Sequence, residues 1–239
     1  MSLPSWIVGI DDTDMPDVGG TGRLARRMAA EIEALGVGHC SGVTRHQFYE
    51  GEGVPKTARN SAAAAVIHSE VPIATLFNLI CDIVDRDSIA GSDPGVAIGS
   101  PAVDDLLVGF ARRAQNGLVD QQEARRLGSS GGVRLAGLGG TEDGVIGALG
   151  AMALRADGND GRFVDLPGIR DVSGVLTVTG LRESTGVVDV IAVDGSGPLG
   201  GASRIDIGDW LRPRLVDGSP VLAVRRRGEG WVNADRRNT

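Results

Sequence analysis

A short apolar run that ends in three carboxylates constrains this chain more than any other feature of its sequence. Residues 6–10 are uncharged and predict a buried strand, and Asp11, Asp12 and Asp14 follow at once. Three carboxylates within four residues repel one another unless a cation or a basic group lies among them. Carboxylate and hydroxyl oxygens are the ligands that Mg²⁺ prefers. We therefore predict a Mg²⁺ site at Asp11, Asp12 and Asp14; the alternative is a solvated acidic turn in which Thr13 or Asp14 acts as a local cap.

A glycine-rich loop follows the acidic run and precedes an amphipathic helix. Gly19, Gly20 and Thr21 come before four apolar residues at helical spacing, and Gly36 is suited to end that helix. Backbone N–H groups at a helix N-terminus bind anions well. A phosphate site beside a carboxylate metal site is what Mg-ATP requires. The alternative is a flexible turn in which Thr21 is the N-cap.

Lys56 is the one lysine among 24 basic residues. Its ammonium is a compact point charge for phosphate oxygens, which the fork of an arginine does not replace. Chance alone also leaves a single surface lysine in a chain. Arg59 and Asn60 carry groups that contact phosphate, so we predict that Lys56, Thr57, Arg59 and Asn60 belong to the nucleotide site.

A second glycine loop contains Gly139, Gly140 and Thr141 and precedes a predicted helix over residues 143–156. Glycines allow a backbone to approach a ligand or a neighbouring helix closely. Approach to a ligand and close packing both stay open for this loop, whereas Gly147 and Gly150 within the helix are expected to serve close packing.

The three histidines form no catalytic arrangement with a serine or cysteine by their spacing. His39 and His68 fall in predicted strands, where packing is the expected role. His46 precedes a glycine-rich segment and is a candidate to face the site.

The order of the remaining elements predicts an α+β (mixed α/β) fold. Apolar patterns predict strands at 37–44 and 95–99 and helices after Pro72, near 103–110 and near 121–127; residues 61–69 fit either a helix or a strand. A run of turn-forming residues at 157–161 then predicts a boundary. Predicted strands follow at 175–179, 187–193, 221–224 and 231–232. We expect a catalytic region over 1–160 and a small β-rich domain of unknown role over 161–239.

Composition limits the partners that we expect. The chain has a net charge of −7 and only eight aromatic residues (three Trp, one Tyr and four Phe). An acidic chain with few stacking platforms argues against nucleic acid as a partner. We expect a small-molecule substrate.

The sequence also predicts a cytoplasmic protein. No apolar stretch approaches the 18 residues of a membrane span, so we expect no membrane partner. The first residues lack the features of a secretory signal. Cys40 and Cys81 are isolated, and offer neither a disulfide framework nor a zinc pair.

Taken together, these motifs resemble the N-terminal catalytic part of the archaeal tRNA-isoleucine 2-agmatinylcytidine synthetases. The resemblance rests on four blocks in the order of the family: residues 9–14 with the following glycines, residues 55–60, residues 93–96 and residues 144–149. It implies a kinase-like and a ferredoxin-like subdomain, and an enzyme in which ATP activates a cytidine carbonyl before an amine attacks. It also implies that the acidic block binds Mg²⁺ and ATP phosphates, with Asp12 and Lys56 as candidate catalytic residues. The same resemblance implies that the loop of Gly139, Gly140 and Thr141 lines the nucleotide site.

The chain departs from that family in ways that affect function. The family follows its glycines with Cys-Thr-Thr, whereas Thr21, Gly22 and Arg23 stand here. The cysteine-rich zinc ribbon of the family cannot form from two isolated cysteines. We therefore expect a Mg²⁺-dependent, ATP-binding phosphotransferase or activating enzyme that acts on a small molecule.

Three other functions stay open at this stage. The first is a haloacid-dehalogenase-like phosphatase that uses Asp12 and Asp14. The second is tRNA modification of the cytidine synthetase type, and the third is a non-enzymatic module that senses nucleotides.

Overall fold

The computed structural model of this protein describes residues 3–15, 20–54 and 59–235. The chain divides into two compact units, residues 1–157 (unit 1) and residues 158–239 (unit 2). Its helices are α1 (Thr21–Ala34), α2 (Ile73–Asp87), α3 (Asp105–Asn116), α4 (Gln121–Ser130), α5 (Gly144–Asp157) and α6 (Val178–Ser184). Its strands are β1 (Ser5–Asp11), β2 (His39–Gln47), β3 (Ser61–His68), β4 (Gly95–Gly99), β5 (Arg134–Gly137), β6 (Arg162–Asp165), β7 (Gly174–Thr177), β8 (Asp189–Ala192), β9 (Gly197–Pro198), β10 (Arg204–Gly208), β11 (Arg214–Val216), β12 (Ser219–Arg227) and β13 (Gly230–Asn233).

Unit 1 is built on an antiparallel sheet with the strand order β5-β4-β1-β3-β2. The acidic run therefore leaves the sheet from its central strand. Ile7, Val8, Gly9 and Ile10 of β1 are all buried, because helices cover both faces of the sheet. A strand buried on both faces appears in a sequence as a continuous apolar run rather than an alternating one, which is why this strand was predictable.

Two layers of helices cover that sheet. Helix α5 packs across β1, β3 and β4, and α3 and α4 pack against α5. Helices α1 and α2 contact each other, with α1 against β2 and β3 and α2 against β4. Nearly every residue of α5 from its start to Leu154 is buried. In the described part of the chain, no helix is long and apolar enough to cross a bilayer.

The alanine-rich segment that fits either a helix or a strand in the sequence is strand β3. It pairs antiparallel with β1 on one side and with β2 on the other. Ala62 to Ala65 are buried, and Ala62 and Ala64 lie in the same core cluster as Val145 and Ala148 of α5. Backbone pairing on both sides outweighs the helix preference of alanine, which is a weak local tendency.

Unit 2 is a mixed β structure with one short helix. Its strands follow the order β6-β11-β12-β13-β10-β7, while β8 lies beside β12 and also pairs with β9. The β8–β12 and β10–β13 pairs are parallel and the others antiparallel. Phe163, Leu181, Ile205 and Leu222 belong to its separate apolar core.

These elements confirm the predicted mixed α/β fold. The predicted strand over residues 175–179 ends earlier in the structure, at Thr177. Residues 178–179 begin helix α6 instead of extending a strand, because the Thr177 hydroxyl accepts a hydrogen bond from the Gly180 N–H (3.0 Å) and caps a helix there. The kinase-like and ferredoxin-like subdivision stays a prediction.

Candidate functional site

The end of strand β1 brings Asp11 under helix α5. Successive side chains of a strand alternate between faces, so Gly9 and Asp11 share the face toward α5. A Cβ on Gly9 would lie 2.0 Å from the carbonyl oxygen of Ala148, and a Cβ on Gly147 would lie 1.8 Å from Asp11 Oδ2. The two glycines therefore let the helix rest directly on the strand, with the Asp11 carboxylate between them. The predicted packing role of Gly147 thus includes making room for a site carboxylate.

The acidic turn itself is conformationally constrained. Asp12 has a φ of 49°, in the left-handed region that few residues other than glycine adopt. Behind it, the buried Thr13 and Thr21 hydroxyls form a hydrogen bond of 3.3 Å. The Ile89 N–H donates to the Thr13 carbonyl oxygen (3.1 Å). Strained backbone of this kind is concentrated at functional sites, where the surrounding structure holds it in place.

The electrostatics of the turn indicate a need for positive charge. Burial raises the pKa of Asp11 to about 7; the Asp12 backbone hydrogen bond opposes this, and the Asp12 and Asp14 charges add to it. Burial is also the largest cause that raises the pKa of Asp12 to about 6. The charges of three other carboxylates, Asp93, Asp14 and Asp143, raise the pKa of Asp12 further. A cation bound among these groups would offset the cost of burying their negative charges and the repulsion between them.

Helix α1 begins beside this turn with backbone donors that no described side chain caps. Gly20, with a φ of 132°, is its N-cap, and among the described residues no side chain accepts a hydrogen bond there. Thr21 is the first helical residue, so the alternative in which Thr21 is the N-cap is wrong; its hydroxyl is hydrogen-bonded to Thr13 instead. The first turn carries no acidic residue. A helix end of this kind favours an anionic ligand. Gly19 lies outside the described residues.

One cavity of about 940 Å³ joins the acidic turn to the start of α1. Its polar lining includes Asp11, Asp12, Asp14, Gly20, Thr21, Gly22, Asp93, Asp120, Thr141 and Asp143. Its apolar lining includes Met15, Phe48, Tyr49, Leu118, Val119 and Ile146. The cavity thus has both a carboxylate-and-amide surface and an aromatic-and-aliphatic one.

Three of these carboxylates were absent from the predicted site. Asp93 precedes strand β4, Asp120 precedes helix α4 and Asp143 precedes helix α5. Each lies far along the chain from the acidic turn. The only sequence signal was the Asp-Pro-Gly block at residues 93–95, which contributed to the resemblance but not to the predicted site.

The second glycine loop is organised around Asp93. The Thr141 hydroxyl and the backbone N–H groups of Thr141 and Glu142 donate to its carboxylate, at 3.0 Å and 2.6 Å for the two N–H groups. Thr141 lines the cavity, whereas Gly139 and Gly140 are not among its described lining residues. A direct role of the two glycines toward a nucleotide therefore stays a prediction.

The connection between β2 and β3 contributes basic and polar groups. Lys56 and Thr57 lie outside the described residues, so their predicted roles stay predictions. Arg59 is exposed and lines the cavity. The Asn60 side-chain amide donates to the Tyr49 carbonyl oxygen (2.7 Å), which ties the two ends of the connection together.

His46 does not face the cavity, contrary to expectation. It is fully buried, and its Nε2 forms a hydrogen bond of 2.8 Å with the Thr44 hydroxyl. It is a packing residue of strand β2, because alternation along the strand turns its side chain into the protein.

The described residues hold no group of three or more His, Cys, Asp or Glu side chains already arranged around a metal position. The prediction for Asp11, Asp12 and Asp14 therefore stays a prediction. The donor set still fits Mg²⁺, which usually takes one or two protein carboxylates together with waters and substrate phosphates. Two carboxylates with raised pKa values are the groups that would gain most from it.

No family model matches the chain. Among curated proteins, it is 27% identical to the uncharacterized protein MJ0921 of Methanocaldococcus jannaschii over 150 residues, which are 62% of this chain and 49% of that protein. The chain thus matches about half the length of this relative. The share of this chain that matches is close to that of unit 1, which has 157 of the 239 residues.

Solved structures of TiaS, an agmatidine synthetase for an isoleucine tRNA, have a similar fold. The complex with that tRNA and ATP is 22% identical, with a TM-score of 0.54 over 63% of this chain and 36% of that one. The complex with the tRNA, AMPCPP and agmatine is 20% identical, with a TM-score of 0.54 over 62% and 36%. The apo structure is 20% identical, with a TM-score of 0.52 over 62% of this chain and 35% of that one. The partial resemblance expected from the motifs is confirmed at the level of the fold.

These structures also correct one expectation. The composition argued against nucleic acid as a partner, yet two of the neighbours with this fold are complexes with tRNA. Net charge and aromatic content are averages over the whole chain, and they do not exclude nucleic acid for a protein with this fold.

Proposed function

We propose that this protein is a cytoplasmic, Mg²⁺- and ATP-dependent enzyme that modifies a base of an RNA, with tRNA as the first candidate. One observation carries the proposal: the acidic turn lines the same cavity as the start of α1, which no described side chain caps. An anion site and a cation site side by side are the two requirements of a Mg-nucleotide. The proposal replaces the small-molecule substrate that we expected from the sequence.

The cavity surfaces match the chemistry of ATP. Its phosphates suit the backbone N–H groups at the start of α1, which no described side chain caps. A purine suits the apolar surface formed by residues such as Phe48 and Leu118. TiaS neighbours that were solved with ATP and with AMPCPP support the choice of nucleotide.

The carboxylates would hold the metal, and the metal would neutralise charge on the phosphates. Asp11 and Asp12 release their protons when a cation binds, because both pKa values are raised in its absence. Thr13 and Thr21 hold the turn against α1, so the carboxylates stay beside the phosphate site. Such positioning and electrostatic stabilisation account for most of the catalysis in phosphoryl transfer.

Unit 2 contains groups that suit an RNA partner. Trp210 has an exposed fraction of 54%, and the Arg212 guanidinium carbon lies 4.2 Å from its ring centre. The Arg226 guanidinium carbon lies 4.6 Å from the ring centre of Trp231. Indole rings stack on unpaired bases, and guanidinium groups contact both bases and phosphates. The tRNA complexes among the structure neighbours support the same choice.

Labelled ATP separates this function from the alternatives. The full chain is incubated with Mg²⁺, α-labelled ATP and bulk tRNA, with and without an amine mixture, and the products are separated by thin-layer chromatography. We expect turnover that requires both Mg²⁺ and RNA, together with a mass change in a nucleoside of the digested RNA. RNA digested after incubation without ATP is the control.

The other outcomes distinguish the remaining functions. Turnover of ATP that does not depend on RNA would support a small-molecule phosphotransferase. Hydrolysis of a phosphate ester without ATP would support the phosphatase that uses Asp12 and Asp14. Binding of ATP without turnover in any mixture would support a sensing module, and absence of ATP binding by calorimetry would overturn the proposal.

A further inference from the structure

Asp93 lies in the cavity wall, and its carboxylate accepts hydrogen bonds from other residues of the protein. Its Oδ2 accepts from the Thr141 N–H (3.0 Å), the Thr141 hydroxyl and the Asp143 N–H (3.4 Å), and its Oδ1 accepts from the Glu142 N–H (2.6 Å). Three consecutive backbone N–H groups and one hydroxyl thus converge on a single side chain. A carboxylate that accepts this many hydrogen bonds fixes the segment that donates them.

Glycines let the loop close on Asp93. Gly140 has a φ of 58°, and a Cβ there would lie 2.9 Å from Asp93 Cγ. A Cβ on Gly144 would lie 2.1 Å from the Asp93 carbonyl oxygen. The two segments fit together only because no side chain stands at these positions.

Helix α4 holds the other side of the same loop. The Gln121 side-chain amide donates to the Thr141 carbonyl oxygen (2.8 Å) and to Asp143 Oδ1 (3.3 Å). Arg125 forms an ion pair with Glu142. The loop is therefore held between Asp93 and α4, and the two of its side chains that line the cavity are Thr141 and Asp143.

We propose that Asp93 is a positioning residue of the nucleotide site, which acts by holding Thr141 and Asp143 against the cavity opposite the acidic turn. Its carboxylate is used by the loop and is not itself a ligand. Because the Thr141 hydroxyl donates to Asp93, its oxygen is left as an acceptor toward the cavity. This inference rests on the proposed function, and it assigns a role to the Asp-Pro-Gly block that the function had not explained.

Two variants disturb this anchor in different ways. D93N keeps one oxygen acceptor and replaces the other with an amide, which cannot accept from the N–H groups. G140A changes no polar group but places a methyl against the Asp93 carboxylate. G132A is the matched control, because Gly132 has a similar φ of 69° and open space around its Cβ position. T141S keeps the hydroxyl and serves as the conservative variant.

Each variant is measured in the full chain in two ways. Amide exchange at Thr141, followed by NMR without any ligand, reports on the anchor itself. Mg-ATP affinity from calorimetry reports on the site. We expect D93N and G140A to speed exchange at Thr141 and to weaken Mg-ATP binding about 10- to 100-fold, the usual effect of losing a group that orients a ligand-binding residue. G132A should leave both unchanged, whereas T141S, which keeps the hydroxyl, should change each of them less than D93N does.

A double-mutant cycle tests whether Asp93 acts through Asp143. If it does, D93N should weaken Mg-ATP binding much less in a D143N background than in the wild type, since coupled residues are not additive. Additive effects, or an unchanged Mg-ATP affinity in D93N despite faster exchange at Thr141, would overturn the inference and leave the proposed function intact. A wild-type chain that binds no Mg-ATP overturns the proposed function and the inference with it, whatever the exchange rates.

Discussion

The two units of this protein differ in how they carry charge. Unit 1 has 13 basic and 20 acidic residues and unit 2 has 11 of each, which together make the 24 and 31 of the whole chain. The net charge of −7 therefore belongs entirely to unit 1. Six carboxylates of that unit line one cavity: Asp11, Asp12, Asp14, Asp93, Asp120 and Asp143. A charge that suits a metal-nucleotide site thus says nothing about what unit 2 binds.

The two units also differ in which groups shift the pKa values of their buried carboxylates. In unit 2, burial acts to raise the pKa of Asp235, but hydrogen bonds from Arg214 and Arg162 outweigh it and lower that pKa. In unit 1, burial raises the pKa of Asp11 to about 7, and no arginine contributes to the shift. Arginines thus offset the charge of Asp235 within the protein, whereas no basic group of the described residues is among the causes of the Asp11 shift. Carboxylates with pKa values perturbed in this way are concentrated at functional sites.

The largest expected effect is the loss of nucleotide binding when Asp12 is neutralised. We expect D12N to weaken Mg-ATP binding at least 100-fold, about 3 kcal/mol, because it removes a carboxylate from the proposed metal site. Calorimetric titration with Mg-ATP measures it. Asparagine tolerates the left-handed φ of 49° at this position.

D217N in unit 2 is the matched control for D12N. Asp217 is exposed and has a similar φ of 46°. Equal losses of ATP affinity in both variants would mean that the effect does not come from the cavity, and the contrast between the units would fail.

A smaller effect is expected where α5 rests on β1. Alanine at Gly147 would place a methyl on the Asp11 carboxylate, so we expect G147A to lower the free energy of unfolding by about 2 kcal/mol, within the usual range for overpacking. A Cβ on Gly109 in α3 would contact only the end of Arg113, 3.8 Å away. G109A should therefore raise the free energy of unfolding by about 0.5–1 kcal/mol, because alanine is favoured over glycine within a helix. Urea unfolding of the two variants measures both. The same sign in both would contradict the assigned role of Gly147.

The pH dependence of stability should differ in sign between the units. Below pH 4 Asp11 is protonated whether the chain is folded or unfolded. Between about pH 4 and 7 only the folded state keeps the proton, because its pKa is raised to about 7, so the free energy of unfolding falls as the pH rises. We expect metal-free unit 1 to lose about 1–2 kcal/mol between pH 4.5 and 8, less than the full shift implies because Asp11 and Asp12 are coupled.

Asp235 has the opposite dependence, because its pKa is lowered and its contribution is lost as the pH falls. Amide exchange in the full chain, compared between strands β1 and β12, reads the two units separately. D11N should reduce the dependence in unit 1 and leave the smaller part that comes from Asp12, and Mg²⁺ should weaken it because a bound cation favours the deprotonated carboxylates of the folded state. A stability of unit 1 that rises steadily with pH in metal-free buffer would refute the electrostatic account of the acidic turn.

Elements that depend on short stretches of sequence could be predicted, whereas site residues that depend on contacts between distant parts of the chain could not. The strand before Asp11 and the helix before Gly36 follow from short-range apolar patterns. Asp93 was missed because its partners, Thr141 to Asp143, lie 48 to 50 residues away in the chain. His46 was misjudged because its burial depends on the packing of β2 in the sheet, which the residues around it do not reveal.

The smallest expected effect tests the partner of unit 2. Stacking of an aromatic side chain on a base contributes about 1–3 kcal/mol. Because Trp210 is only one of several groups that we expect to contact RNA, we predict that W210A weakens binding of bulk tRNA about 5- to 10-fold, at the lower end of that range. A gel-shift titration of the full chain at fixed moderate salt measures it, since affinity for RNA depends on salt.

Two controls separate stacking from charge and from general loss of apolar surface. R212K keeps the positive charge but removes the planar group that lies over the indole. If the stacked pair is what the RNA contacts, R212K should weaken binding as well, while V193A, which trims a similarly exposed side chain, should not. Mg-ATP affinity should be the same in all three variants, because Trp210 belongs to the neutral unit and the nucleotide site to the acidic one. A W210A chain that binds tRNA as tightly as the wild type would show that Trp210 does not contact the RNA. The difference in net charge between the two units would then not identify unit 2 as the part that binds RNA.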